Sequence, residues 1–319
     1  MDNEKKKVLT IIVPCYNEQE TARIFFNAIA DISQKTALKE LEVNTLFVND
    51  GSSDGTLNVI KELASESKHV KYLSLSRNFG KESSIYAGLE NANADYVAIM
   101  DVDLQDPPEL LEEMYLSIKN EHFDCVATRR STREGEPIIR SFFARQFYKI
   151  INLISQTEIV DGARDFRLMT RQMADSILML RESNRFSKGI FSWVGFSVKW
   201  LTYENKERVA GQTKWSFWNL FGYSINGIIA FSEIPLAFVS ILGIIISFVS
   251  FVLILIIVVR KLTWGDPVAG WASLAAMITF IGGLQMFCLG IIGQYLAKAY
   301  VESKKRPIYI IKESHLHAD

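Results

Sequence analysis

One stretch of the chain decides the fold: Tyr96-Val-Ala-Ile-Met-Asp-Val-Asp-Leu-Gln-Asp-Pro-Pro-Glu109. The apolar run from Val97 to Met100 is typical of a strand that is buried on both faces of a sheet. Polar residues begin where this run ends, and two prolines then stop the strand and favour a helix that starts at Glu109. The stretch therefore predicts a buried strand whose carboxyl end carries acidic side chains.

Asp101 and Asp103 are the first candidate site residues. They lie two positions apart, so on an extended chain both carboxylates point to the same side. The carboxyl ends of strands form the ligand-binding edge of an open α/β sheet. Carboxylate oxygens suit a hard divalent cation, Mg²⁺ or Mn²⁺, which is held by few protein ligands and completed by phosphate oxygens. The alternative for so short a motif is a solvated acidic turn that caps a helix.

Strand and helix patterns alternate along the N-terminal half of the chain. Further strands are predicted at Val8–Val13, Val43–Val48, Val70–Leu75 and Phe123–Thr128, with amphipathic helical segments between them. This alternation predicts βαβ units and a mostly parallel sheet. Each strand delivers a polar loop to one edge, so three further side chains are expected near the two aspartates. These are Asp50, Asn78 and Lys81.

The composition excludes several classes of protein. The 319 residues are enough for one large domain or two ordinary ones, and the net charge of -1 gives no sign of a nucleic-acid binder. The three cysteines are scattered, which argues for a reducing compartment and against a disulfide framework. The four histidines argue against a histidine-based metal site, and the N-terminus has no signal-peptide core.

Two long apolar stretches near the C-terminus indicate membrane spans. The first, residues 236–259, has no charge and would form a helix about 36 Å long; the second covers residues 271–296. Both are long enough for a hydrocarbon core of about 30 Å, with residues 260–267 as a polar turn between them. Basic residues flank the pair on both sides, so the positive-inside rule places both termini in the cytoplasm. A buried helical hairpin in a soluble protein is the alternative.

These patterns divide the chain into four parts. They are a cytoplasmic catalytic domain (1–215), an amphipathic interface helix (216–234), a pair of transmembrane helices (235–298) and a cytoplasmic tail (299–319). The catalytic domain is thus expected on the cytoplasmic face of the plasma membrane. Small residues in the second span allow close helix contact, and the chain is expected to form a homo-oligomer. They are Gly282, Gly283, Gly290 and Gly293.

Several segments between the fifth predicted strand and the first span carry further candidates. Arginines interleaved with aromatic residues, from Arg129 to Arg145, could lie at a membrane surface and bind phosphate; a solvated helix face is the alternative. Asp165 comes directly before an apolar stretch, where it could cap a helix, serve the site or do both. Residues 195–203 alternate like a strand, and a basic loop follows at 206–215.

Three motifs together resemble family 2 glycosyltransferases of the GT-A fold. They are Val13-Pro-Cys-Tyr-Asn-Glu18, Val48-Asn-Asp-Gly-Ser-Ser-Asp-Gly55 and Met100-Asp-Val-Asp-Leu-Gln-Asp-Pro-Pro-Glu109. More narrowly, the chain is similar to polyisoprenyl-phosphate glycosyltransferases, a group that includes dolichyl-phosphate mannose synthases and bactoprenol-phosphate glucosyltransferases. The resemblance covers nearly the whole chain. Processive synthases carry Gln-x-x-Arg-Trp, whereas Gln212-Thr-Lys-Trp215 is one residue shorter, which favours transfer of a single sugar.

The resemblance implies a role for each matching position. Asp101 would face the nucleoside, while Asp103 and Gln105 would bind the metal ion. Asp165 would lie beside the reacting centre and act with Asp103 in catalysis. The nucleotide sugar would be bound by Pro14, Tyr16, Glu18, Asp50, Asn78, Lys81, Asp101 and Val102. Diphosphate or lipid phosphate would be contacted by Arg129, Arg140, Arg208 and Lys214.

The implied function is an inverting glycosyltransferase at the membrane. It would move one sugar from a nucleotide sugar, UDP-glucose first and UDP-GlcNAc or UDP-galactose next, to polyprenyl (undecaprenyl) phosphate. Three other functions remain open. They are transfer to a protein or soluble sugar, nucleotide-sugar binding without catalysis, and transport of lipid-linked sugars.

Overall fold

The computed structural model describes residues 6–130, 152–153, 160–203, 229, 232–264 and 270–316. Within these ranges, eight strands form one sheet in the order β7-β5-β6-β4-β1-β2-β3-β8. The strands are β1 Val8–Cys15, β2 Glu42–Asn49, β3 Val70–Leu75, β4 Tyr96–Ile99, β5 Cys125–Arg130, β6 Ala163–Thr170, β7 Val198–Tyr203 and β8 Ile311–His315.

Helices cover both faces of this sheet. They are α1 Ala22–Lys35, α2 Thr56–Glu66, α3 Lys81–Asn91, α4 Leu110–Glu121, α5 Arg171–Met179 and α6 Ser187–Trp193, followed by α7 Ile234–Trp264 and α8 Trp271–Ser303. One apolar cluster joins the sheet to α1, α2 and α4, and a second joins the opposite face to α3, α5 and α6. The sheet is therefore buried between two helical layers, as an α/β fold requires.

The period-2 pattern of β1 explains how one strand serves both layers. Leu9, Ile11 and Val13 belong to the first cluster, whereas Ile12 belongs to the second. Above Ile12, α3 approaches the sheet closely at Gly88, where a Cβ atom would lie 2.2 Å from the Ile12 side chain. Only glycine permits that approach without displacing the helix.

Parallel pairing joins β3, β2, β1 and β4, which confirms the predicted βαβ units. The sheet then changes direction, because β6 lies antiparallel between β4 and β5. Ile99 pairs with Arg167 in this register, so the amino end of β6 reaches the carboxyl end of β4. Asp165 therefore lies inside a strand, and the helix-cap interpretation of that residue is wrong.

A strand at the end of the chain was missed by the sequence analysis. β8, from the predicted tail, pairs antiparallel with β3 and closes that edge of the sheet. His315 stacks on Tyr72 with ring centroids 5.8 Å apart, and Lys61 pairs with Glu313 at 2.8 Å. The missed segment has only five residues, and two of them are charged. Its backbone N–H and C=O groups pair with those of β3, which would otherwise be the edge strand of the sheet.

The two helices α7 and α8 are long and apolar enough to cross a membrane, by length and composition. Both extend beyond the predicted bounds, and α7 continues through Arg260 to Trp264, so residues 260–264 of the predicted polar turn are helical. Among the described residues, a Cβ atom at any of the four glycines of α8 would meet nothing within 4 Å. The predicted interface helix lies outside the described residues except for Ile229 and residues 232–234.

Candidate active site

The loops that follow β1 and β2 are joined by hydrogen bonds. The Asn17 N–H donates to Ser52 Oγ at 3.0 Å, and the Asn17 side-chain oxygen accepts from the Ser53 N–H at 2.8 Å. The Glu18 N–H donates to Thr56 Oγ1 at 2.7 Å. The predicted donor-binding residues Pro14, Tyr16 and Glu18 belong to this paired loop system, in which Tyr16 is 38% exposed.

Asp50 joins the second of these loops to the loop that follows β3. Its carboxylate is buried and accepts the backbone N–H groups of Phe79, at 2.7 Å, and Gly80, at 2.8 Å. Burial raises the pKa of Asp50 above its usual value, although both hydrogen bonds oppose the shift. Asp50 thus fixes loop geometry, and its proposed contact with the nucleotide stays a prediction.

Gly51 allows the same two loops to touch. Its φ is +64°, and a Cβ atom there would lie 2.4 Å from the backbone carbonyl carbon of Arg77. Every residue with a side chain would both strain this backbone and collide with a neighbouring backbone. The glycine in Asn49-Asp50-Gly51 is therefore required by the packing of two loops at the binding edge.

Lys81 joins two carboxylates at the centre of the edge. Its Nζ lies 2.6 Å from an oxygen of Asp101 and 2.5 Å from an oxygen of Asp165. The three residues come from the first turn of α3, the end of β4 and the start of β6. The structure thus brings together three predicted site residues that are far apart in sequence.

The surrounding charges keep this cluster ionised. Burial alone would raise the pKa of Asp165, but the positive charges of Lys81, Lys188 and Arg167 outweigh it and hold the pKa well below its usual value. Burial would likewise lower the pKa of Lys81, but the carboxylates of Asp101 and Asp165 raise it above its usual value. Asp165 is therefore a carboxylate at neutral pH.

Glu82 anchors the helix that carries Lys81. Its carboxylate accepts the backbone N–H of Ser187, at 3.0 Å, and also the Ser187 hydroxyl at a shorter distance. Burial and the nearby charge of Asp165 raise the pKa of Glu82. This contact ties the first turn of α3 to the first turn of α6 and so fixes the helix that presents Lys81.

Asp103 and Gln105 occupy the loop that follows β4. The Gln105 N–H donates to an Asp103 oxygen at 3.2 Å, and Val102, which directly precedes Asp103, is buried. Both side chains are partly exposed and offer hard oxygen donors, which fits a divalent cation with few protein ligands. Within the described ranges, no group of three or more His, Cys, Asp and Glu side chains could hold a metal ion. The remaining oxygens would then come from phosphate and water.

A buried network supports this loop from behind. Arg164 Nε donates to Asp106 at 3.1 Å and to the Tyr203 hydroxyl at 3.3 Å, and another guanidinium nitrogen donates to Gln105 Oε1 at 3.3 Å. The Tyr203 hydroxyl also donates to Asp106 at close range. Burial raises the pKa of Asp106, while the adjacent Arg164 opposes that shift. The loop is thus attached to the first residues of β6 and the last residue of β7.

The other predicted residues are more peripheral or lie outside the described ranges. Asn78 is exposed, and its carbonyl accepts from Arg77 at 3.0 Å. Arg129 lies near the carboxyl end of β5, and its Nε donates to Thr202 Oγ1 of β7 at 3.2 Å. Arg140, Arg208 and Lys214 lie outside the residues that the structure describes.

Several residues of the site were not identified from the sequence. They are Glu82, Asp106, Arg164, Arg167, Lys188 and Tyr203. Two of them had a usable signal, because Asp106 closes the acidic motif and Arg164 directly precedes Asp165. Glu82 and Arg167 lie close in sequence to Lys81 and Asp165, but nothing in the pattern marks them, and Lys188 and Tyr203 are brought to the site only by the fold.

Comparisons with known proteins agree on one family for this chain. Residues 10–178 match the family described as Glycosyl transferase family 2. The chain is 41% identical to the protein CsbB of Bacillus subtilis, covering 98% of this chain and 93% of that protein. It is 39% identical to the SfII prophage-derived bactoprenol glucosyl transferase of Shigella flexneri, covering 96% and 98% of the two chains.

Among solved structures, the chain is similar to glucosyl-3-phosphoglycerate synthase from Mycobacterium tuberculosis in complex with Mn²⁺, UDP-glucose and phosphoglyceric acid. It is 16% identical, covers 70% of this chain and 78% of that one, and gives a TM-score of 0.44.

The loop-fixing role of Asp50 predicts a loss of stability when its charge is removed. Asp50→Asn replaces one accepting oxygen with an NH₂ group that faces a backbone N–H. We expect the free energy of unfolding to fall by about 1–3 kcal/mol, measured by denaturant titration. The control Asp175→Asn removes an exposed carboxylate paired with Arg171. It should change the free energy of unfolding by less than about 1 kcal/mol. Wild-type stability with weakened nucleotide binding in Asp50→Asn would instead make Asp50 a donor ligand.

Proposed function

The chain belongs to glycosyl transferase family 2, and we propose that it transfers one sugar from a nucleotide sugar to polyprenyl phosphate. The observation that carries this proposal is the bridge from Lys81 to Asp101 and Asp165 beside the Asp103 loop. This bridge joins Lys81 and Asp101, at the predicted donor-binding edge, to the carboxylate of Asp165, which comes from the separate strand β6. UDP-glucose to undecaprenyl phosphate is the first choice, since the similar bactoprenol glucosyl transferase matches nearly the whole chain, including α7 and α8.

Donor binding would use the edge formed by the first four parallel strands. Asp103 and Gln105 would hold Mg²⁺ or Mn²⁺ against the donor diphosphate. When bound, the cation supplies positive charge that stabilises the diphosphate as it leaves. The loops around Tyr16, Asp50 and Asn78 would hold the nucleoside part of the donor. Arg129, Arg140, Arg208 and Lys214 would contact diphosphate or lipid phosphate.

The acceptor chemistry assigns a positioning role to Asp165. A lipid monophosphate has a second pKa near 6, so at neutral pH it is largely a dianion and has no proton to lose. Its oxygen would attack the anomeric carbon directly, forming the new carbon–oxygen bond as the bond to diphosphate breaks, with inversion of configuration. Asp165, itself ionised, would order Lys81 and the reacting groups without accepting a proton.

Membrane placement follows from the two apolar helices and from β8. The strand after α8 returns to the sheet that precedes α7, so two crossings would leave both ends of the pair on one side. We assign that side to the cytoplasm, where nucleotide sugars are available and where basic residues accumulate. The plasma membrane would then hold the lipid phosphate beside the catalytic domain, in a homo-oligomer or a single chain.

An acceptor assay tests the function. We expect the detergent-purified full chain to attach labelled glucose from UDP-glucose to polyprenyl phosphate. EDTA should abolish the transfer, and Asp103→Ala should reduce it by about two orders of magnitude or more, because charge on the leaving diphosphate is no longer compensated. Asp175→Ala is the control and should keep wild-type activity.

The same assay separates the alternatives. UDP-GlcNAc and UDP-galactose in parallel identify the sugar. Nucleotide-sugar binding without transfer to any lipid, protein or sugar acceptor would support the non-catalytic reading. Full activity in EDTA would contradict metal dependence.

The pH profile tests the role of Asp165. Its pKa is depressed, so the carboxylate stays ionised throughout the neutral range and protonates only in strong acid. With saturating polyprenyl phosphate, the rate should therefore rise through about pH 6 as the acceptor loses its second proton. Asp165→Asn should keep this rise of the rate through about pH 6, but with a much lower maximum rate. If the mutation removes the rise, Asp165 is the titrating group and acts as a base.

Cysteine labelling tests the topology. Asp266→Cys should react with an impermeant thiol reagent added to intact cells, since residues 263–269 would lie on the far side of the membrane. Lys68→Cys, at an exposed position of the catalytic domain, should react only after the cells are opened. The reverse pattern would invert the orientation. The native Cys15 and Cys125 are buried, and Cys288, which is partly exposed in α8, is replaced by serine in both variants to keep the background of labelling low.

A further inference from the structure

We infer that Arg164 is a positioning residue that fixes Gln105, and with it the Asp103 loop, in the geometry that binds the divalent cation. The inference rests on the proposed function only in taking Asp103 and Gln105 as the metal ligands. Its basis is a pair of side-chain contacts from one strand residue to the end of this loop. Arg164 donates to Gln105 Oε1 and to Asp106, which lie side by side at the end of the acidic motif.

Asp106 makes this arrangement rigid. Its side chain is buried, with 3% exposure, and it accepts from both Arg164 and Tyr203. Removing a single partner from a buried charge is costly, because the remaining charge is left without compensation. Asp106 therefore holds the guanidinium in one place. It also balances the charge of Arg164, so that the arginine adds little net positive charge beside the cation.

The guanidinium determines how Gln105 is oriented. Arg164 only donates hydrogen bonds, so it selects the oxygen of the Gln105 amide over the nitrogen. An amide oxygen can accept two contacts, and Arg164 supplies one at 3.3 Å. The second remains available to a cation. A planar fork can serve Gln105 and Asp106 together, which the single ammonium of lysine cannot do with the same geometry.

The position of Arg164 on β6 links this support to the reacting centre. Arg164 and Asp165 are consecutive strand residues, so their side chains leave opposite faces of the strand. Asp165 reaches Lys81 and through it Asp101, at the start of the acidic loop. Arg164 reaches Gln105 and Asp106, at its end. One strand end thus holds both ends of the loop.

Metal binding measured directly tests this inference. Free Mn²⁺ is followed by electron paramagnetic resonance in titrations of the detergent-purified full chain with UDP present. Arg164→Lys should raise the dissociation constant for Mn²⁺ by about 10- to 100-fold, the usual effect of removing a partner that orients a metal ligand. Tyr203→Phe, which leaves both charges in place, should give a smaller increase in the same direction.

Control variants separate positioning from general stability. Arg23→Lys alters an exposed arginine that pairs with Glu62 and Glu66, and it should leave Mn²⁺ affinity unchanged. Thermal unfolding without metal is measured for every variant. If Arg164→Lys is unstable, Tyr203→Phe provides the decisive titration.

Each result has a definite meaning. Folded Arg164→Lys with wild-type Mn²⁺ affinity overturns the inference and leaves the proposed transfer intact. If the wild-type chain binds no Mn²⁺ with UDP, then both the inference and the metal-dependent step are wrong, while acceptor transfer is judged by its own assay.

Discussion

The candidate site depends on a lysine that compensates the negative charges of two carboxylates, which the sheet holds close together. The register of β4 and β6 brings the Asp101 and Asp165 ends of the two strands side by side, and like charges at such range disfavour joint ionisation. Lys81 resolves this conflict by binding both. Its helix is held in turn by Glu82 and by the loop that Asp50 fixes. The arrangement allows Asp165 to remain charged although another carboxylate lies beside it.

The same edge shows why an antiparallel strand matters in a sheet whose first half is parallel. A parallel β6 would present its carboxyl end, Thr170, to this edge in place of Asp165. Because β6 runs the other way, its first residues arrive beside the ends of β4 and β5. Loops from the parallel half of the sheet and supporting residues from the antiparallel strand thereby meet at one edge.

Sequence patterns predicted the parallel half well because its strands are short apolar runs that end in polar turns. The convergence of Lys81 with Asp101 also followed from that logic, since both residues come from the ends of parallel strands. The direction of β6 was not predictable, because Ala163–Thr170 mixes charged and apolar residues and reads equally as a helix start. Arg164, Tyr203 and Glu82 were missed for a related reason. Arg164 and Tyr203 bond to Asp106, and Glu82 bonds to Ser187; these partners are 58 to 105 residues away in sequence, and only the fold brings them together.

The pairing of β8 with β3 has a consequence for biosynthesis. Residues 76–310 separate the two strands, and they include both apolar helices. At about 5–20 residues per second, the edge of β3 would stay open for roughly 10–50 s while the rest of the chain is made. An open strand edge is a template for mispairing. Synthesis of the helical pair and completion of the sheet are thus linked in time: the exposed edge of β3 is covered only after both apolar helices have been made.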